Sequence, residues 1–167
     1  MISEIANNIF QKVIEDYHIH DKIDQPIVNP YDHERLEHLL YLKCWIDTAQ
    51  WHMEDIIRNP NIDPREGLYW KRRIDRQNQE RTDTVEFIDS YFLQKFAGVV
   101  ALKDAKVNSE SPAWAIDRLS ILALKIYHMN LETIRTDVSM SHQQSCQEKL
   151  NILLEQKNDL SQSIDEL

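Results

Sequence analysis

The stretch from Asn108 to Met129, NSESPAWAIDRLSILALKIYHM, does most to limit what this chain can become. Ser111 and Pro112 make a helix start: a hydroxyl that can accept from orphan amides, then a residue whose missing N–H costs nothing in the first turn. Beyond them Leu119, Leu122, Ala123, Leu124, Ile126 and Met129 spread apolar surface round most of the helix. A helix that apolar has to be covered on most sides. The covering elements are expected to be helices as well. Only 2 glycines and 5 prolines serve 167 residues, too few for the many tight turns of an all-β fold. The expected architecture is all-α: an antiparallel four-helix bundle core with an additional N-terminal helix, in one domain over residues 1–167.

The chain divides accordingly. Ile2, Ile5, Ile9, Val13 and Tyr17, widened by Phe10 and Ile14, predict a first helix over about Ser3 to Asp21, with Ser3 as cap. Pro26 and Pro30 exclude helix from the linker that follows. A second helix is expected from about His33 to Arg58 with Asp32 as N-cap, its apolar side carrying Leu39, Leu42, Ile46, Ala49, Met53, Ile56 and Ile57. Lys43 with Asp47 and Glu54 with Arg58 stand four apart on its other side, at pairing distance. After the turn NPNIDP, the run Asp63, Pro64, Glu66 starts a third helix that reaches about Phe96. The segment from Gly98 to Ser109 has no clear period. The central helix ends near Asp137, and a last helix begins at about Ser139. Its heptad-like seam is Cys146, Leu150, Leu153, Leu160 and Ile164, interrupted by Lys157. That seam can pack within the chain or against a second copy in a homo-oligomer.

The third helix contains an anomaly. From Asp75 to Thr84 it reads DRQNQERTDT, without an apolar side chain. Trp70, Ile74, Val85, Ile88, Phe92 and Phe96 share one helical face, and continuing that face through the gap reaches Asn78 and Arg81. Either this part of the helix is solvated or the bundle has a polar interior layer. The second case requires acids opposite Arg81, because an unpaired buried charge is costly. Asp47, Glu54 and Asp117 are the candidates. The central helix poses the same choice with a narrow stripe of Trp114, Arg118, Ile121, Lys125, His128 and Glu132, with Asp117 beside it. The candidate ligand-binding set is therefore Asp47, Glu54, Asn78, Arg81, Asp117, Arg118, Lys125 and His128.

Motifs for specific chemistry are sparse. A di-iron bundle needs two Glu-x-x-His pairs on separate helices, and Glu15 with His18 supplies one. Glu34 and Glu37 face Glu86 and Asp89 in a hairpin scheme, a carboxylate pattern suited to Mg²⁺. No cofactor is expected apart from magnesium under that alternative. The basic start of the third helix, Arg65, Lys71, Arg72, Arg73 and Arg76, is interspersed with Glu66, Asp75 and Glu80 and reads as a solvated face with room for a local anion. Cys44 and Cys146 make neither a disulfide framework nor a zinc motif. The net charge of −9 argues against general nucleic-acid binding and against anionic membranes. No apolar run approaches the ~20 residues of a membrane span. The start MISEIANNIFQ lacks the pattern of a signal peptide, so a cytoplasmic location is expected.

Three stretches, KCWIDTAQWHMEDIIRNPNIDP, IDRQNQERTDTVEFID and NSESPAWAIDRLSILALKIYHM, resemble a bacterial family known as domain of unknown function 4254. The resemblance runs from the second helix to the end of the central one. It implies an all-helical bacterial protein and carries over no catalytic residue. It also implies a loose association with glycosyltransferase genes of the cell envelope, hence with nucleotide sugars. Two functional readings follow. One is a binding or interaction protein whose polar layer holds an anionic small molecule or a protein partner. The other is an enzyme on a phosphorylated or nucleotide-sugar substrate, with Arg81 and Arg118 clamping phosphate and Asp47, Glu54 or His128 moving protons.

Overall fold

A computed structural model describes residues Met1–Leu167 as five helices and no strand. They are α1 (Ile2–His18), α2 (Leu36–Ile57), α3 (Pro64–Lys95), α4 (Pro112–Thr133) and α5 (Met140–Glu166). Short connections fold α2 with α3 and α4 with α5 into hairpins. α4 is the hub, packing against all four other helices, whereas α3 and α5 do not touch each other. α1 lies against α2, α4 and α5 and buries Ala6, Ile9, Phe10, Val13, Ile14 and Tyr17. The main core joins these to Leu40, Cys44 and Met53 of α2, Val85 and Ile88 of α3, and Ile116, Leu119 and Leu124 of α4. No helix is long and apolar enough to cross a membrane.

Most helix ends follow local chemistry. The Asp63 carboxylate accepts from the amides of Arg65 at 2.9 Å and Glu66 at 3.2 Å, with Pro64 in the first turn. Ser111 accepts from the Trp114 amide and donates to Asp89 at 2.9 Å, which ties the start of α4 to α3. Ser139 caps α5 through the His142 amide. Three expectations are corrected. Ser3 is inside α1, and its amide and hydroxyl both donate to Asp165 of α5, at 2.9 and 2.5 Å. α2 starts at Leu36 with Arg35 as N-cap, because the linker is fastened across its first turn: Asn29 Nδ2 donates to the His38 carbonyl, and the His38 ring bonds the Tyr31 carbonyl. α4 stops at Thr133, short of Asp137. There Arg135 pairs with both Glu132 and Asp137 and holds the turn. Of the α5 seam, Cys146, Leu150 and Ile164 are buried and Leu153 and Leu160 partly so, with α5 packed on α4.

Candidate functional site

The polar gap in α3 meets a buried charge network. Lys43 of α2 is 0% exposed. Its ammonium bonds the Asp47 carboxylate one turn on, lies 2.7 Å from Asp117 Oδ1, and donates to the Asp117 carbonyl at 3.1 Å. Arg81 reaches in from α3. Its Nε and Nη2 grip both oxygens of Asp117 at 3.0 and 2.6 Å, and Nε stands 3.3 Å from Asp47 Oδ1. Ser120 of α4 donates to Asp47 Oδ2 at 2.6 Å. Two cations therefore face two carboxylates, and the cluster is neutral. Burial pushes the Asp47 carboxyl up, and the Lys43 charge beside it works in the opposite direction. Such a network fixes how three helices sit together and leaves no buried cation free for a ligand.

The other predicted residues divide by position. Glu54 accepts from Arg58 and from Gln50. Asn78 lies on the surface, where its oxygen accepts from Gln50 at 2.9 Å. Arg118 is exposed and bound to Glu110. Arg81 and Arg118 border one open groove of about 760 Å³, each already held by an acid. They make no free phosphate clamp. The four acids proposed for magnesium are not gathered. Glu37 bonds Arg35, Asp89 accepts from Ser111, and no three of Glu34, Glu37, Glu86 and Asp89 bring oxygens within 4.8 Å of one another. Glu34 lies in the turn before α2, Glu37 in its first turn, and Glu86 and Asp89 on α3, and the four do not converge on one point.

Further along the α4 stripe is a second groove, of about 570 Å³, between α2, α4 and α5. Its floor is apolar, from Met129, Leu131, Ile152 and Leu153. Trp51, His128, Lys125 and Lys149 stand round it. Trp51 is stacked flat on His128, with ring centroids 4.6 Å apart and planes 2° from parallel. Asp55 and Glu132 on the rim are bound to Arg58 and Arg135. Lys125 and Lys149 form no ion pair and no hydrogen bond, alone among the charged side chains of this groove.

Behind the Trp51–His128 wall, three imidazoles from three helices converge: His18 at the end of α1, His52 in α2 and His128 in α4. One ring nitrogen from each lies within 4.8 Å of the other two. The Nε2 atoms of all three are buried and have no hydrogen-bond partner. His18 Nδ1 is 2.6 Å from the Ile14 carbonyl, which requires the proton on Nδ1 and leaves a lone pair on Nε2. The rings are wedged by aromatic neighbours: Tyr17 stacks on His52, and Tyr127 lies 4.5 Å from His18. Burial pushes His128 down to about 4, helped by the neighbouring His52 and His18, and burial lowers His52 too. Both imidazoles are neutral at pH 7. Only His128 is singled out by the sequence pattern. His18 had no second Glu-x-x-His pair to join, and the three positions share no spacing.

A family model described as "Protein of unknown function (DUF4254)" matches residues 37–167. The chain belongs to that family. The matched region holds the whole charge network, both grooves, His52 and His128, while α1 with His18 precedes it. No curated protein and no solved structure matches this DUF4254 chain.

Proposed function

We propose that this DUF4254 protein is a binding protein for an anionic small molecule, held in the groove between α2, α4 and α5. The observation that carries this reading is the pair of unpartnered cations, Lys125 and Lys149, lining one groove with the Trp51 ring and the apolar side chains Met129 and Leu153. Cations already neutralised by acids have little left to offer a ligand, whereas free lysines attract one. A groove of this size falls within the range of about 300–1,000 Å³ typical of small-molecule sites. Its mixture of apolar floor, flat ring and positive rim suits an organic anion with an apolar or planar body, such as a nucleotide or a nucleotide sugar. The interior layer of Lys43, Asp47, Arg81, Asp117 and Ser120 then serves as the frame that positions α4, with Lys125 and His128 presented at its far end.

The test is a thermal-shift and calorimetric comparison of the full chain with inorganic phosphate, nucleotides and nucleotide sugars. Ligand binding to the native state raises the melting temperature by mass action. At least one organic anion is expected to stabilise the parent protein and to lose that effect in Lys125→Ala/Lys149→Ala. A shift that survives the double substitution, or no shift with any of these anions, overturns the reading.

A further inference from the structure

We propose that His18, His52 and His128 form a three-imidazole site for a divalent first-row transition metal ion, with zinc the best fit.

The first argument is the orphaned atoms. A buried nitrogen that neither donates nor accepts loses its hydration without compensation, and proteins seldom tolerate this. Here three such atoms, one Nε2 from each ring, belong to the three histidines that converge. His18 Nε2 carries a lone pair, because its Nδ1 is engaged with the Ile14 carbonyl, and no ring of the three hydrogen-bonds another. A metal ion satisfies all three at once.

The second argument is orientation. A zinc-bound histidine characteristically donates its other ring N–H to a carbonyl or carboxylate, which fixes the tautomer and turns the lone pair towards the metal. The His18 contact with the Ile14 carbonyl at 2.6 Å is of that kind. Tyr17 against His52 and Trp51 against His128 limit the rotation of the other two rings.

The third is distance and charge. Zinc–nitrogen bonds of about 2.0–2.1 Å in a tetrahedral shell place ligand nitrogens about 3.3 Å apart. The observed spread of at most 4.8 Å closes to this by small ring movements, without rearranging helices. Asp21 Oδ1 lies 3.5 Å from His52 Nε2, near enough to supply a fourth ligand. The backbone at Asp21 has φ 49°, a left-handed turn just past α1 that aspartate tolerates better than most residues. Asp21 and Asp55 act on both His52 and His128 in the direction that favours positive charge, against the larger opposing effect of burial. Imidazole nitrogen selects zinc, copper, nickel or cobalt over magnesium and calcium, which prefer oxygen.

A second cluster, Glu132, His142 and Cys146, is also compact. Its groups already satisfy one another: His142 Nε2 is 3.1 Å from Glu132 and 3.3 Å from Cys146, and Glu132 is bound to Arg135. It serves as the internal control.

The proposal goes beyond the anion-binding reading and stands without it, because its test uses metal alone. The full chain is stripped with chelator and titrated with Co²⁺, whose visible absorption reports a tetrahedral nitrogen-rich site, and then with Zn²⁺ in competition. One ion per chain is expected, with Mg²⁺ failing to compete. His52→Ala and His128→Ala are expected to lower affinity by more than about 100-fold, above what loss of a merely orienting neighbour costs. His142→Ala is expected to change nothing. Should the variants not fold, the parent protein still decides. On adding Zn²⁺, the imidazole ¹⁵N resonances of His18, His52 and His128 are expected to shift while those of His20, His33, His38 and His142 stay in place. Absence of Co²⁺ and Zn²⁺ binding, loss of binding only in His142→Ala, or resonance shifts confined to other histidines overturns the proposal.

Discussion

Replacing Lys43 by methionine tests the account of the buried network most sharply. The side chain is fully enclosed, and its ammonium contacts Asp47, the Asp117 carboxylate and the Asp117 carbonyl. Methionine fills similar space but removes one of two cations from a neutral group of four charges. Arg81 alone then faces Asp47 and Asp117. Breaking a buried ion pair by removing one partner costs about 3–5 kcal/mol, chiefly through the charge left behind. A loss of that size at pH 7 is a large share of the roughly 5–15 kcal/mol that holds a domain together. The loss has a pH signature. Burial already pushes the Asp47 carboxyl above its ordinary 3.8, and Lys43 is the main influence holding it down. In Lys43→Met the folded state therefore binds a proton that the parent's folded state releases, over the window between the parent's folded value, already above 3.8, and the variant's still higher one. Stability of the variant relative to the parent rises as pH falls through that window. Urea unfolding followed by circular dichroism, repeated from about pH 7 down to about pH 5, should show the gap narrowing. Adding Asp47→Asn to Lys43→Met, which leaves Arg81 with Asp117 alone, should recover a large part of the loss at pH 7. A Lys43→Met protein within about 0.5 kcal/mol of the parent, or a gap that does not change with pH, refutes the reasoning.

Two further outcomes are expected away from the candidate site. The hydroxyl and amide of Ser3 hold the Asp165 carboxyl below its ordinary 3.8, so this latch between α1 and α5 is in force above pH 3.8 and is lost as pH falls through the lowered value. The Ser3 amide resonance should titrate with a midpoint below 3.8 and cease to titrate there in Asp165→Asn, whereas a midpoint at or above 3.8 contradicts the contact. Burial pushes the Cys44 thiol up to about 12, and with so little thiolate it should resist alkylation in the folded protein at neutral pH. Mass spectrometry showing modified Cys44 before unfolding would count against its place in the core.

The fold was legible because its signals are local. Asp63-Pro64 and Ser111-Pro112 mark helix starts by their own chemistry, and the apolar spread of Leu119 to Met129 identifies the hub. The gap in α3 was legible for the same reason: a broken period at Arg81 asked for an acid opposite, and both Asp47 and Asp117 are there. The four-residue spacing identifies Lys43 as the partner of Asp47 but not as a member of the interior layer. Its burial depends on which helices flank α2, and no window of sequence contains that. Asn78 shares the broken period yet stays outside, because an amide one turn before Arg81 is bonded at the surface by Gln50. The three imidazoles were the least legible. Positions 18, 52 and 128 sit on helices brought together only by tertiary packing, and histidine at a helix end or flank carries no pattern of its own. The orphaned Nε2 atoms are a property of the assembled bundle.

The bonds at Asp117 have a mechanical consequence. They fix not only where α4 lies but how far it is turned about its own axis. His128 follows Asp117 by 128 − 117 = 11 residues on the same unbroken helix. That is close to three turns, about 16 Å of travel with the two side chains within about 20° of the same bearing. The helix behaves as a shaft keyed at one end, and the key is the grip of Arg81 and Lys43 on a carboxylate. A substitution that slackens the key is expected to disturb Lys125 and His128 together, since both ride on the same helix. The aim of the histidine is thus set three turns away, by residues that never touch it.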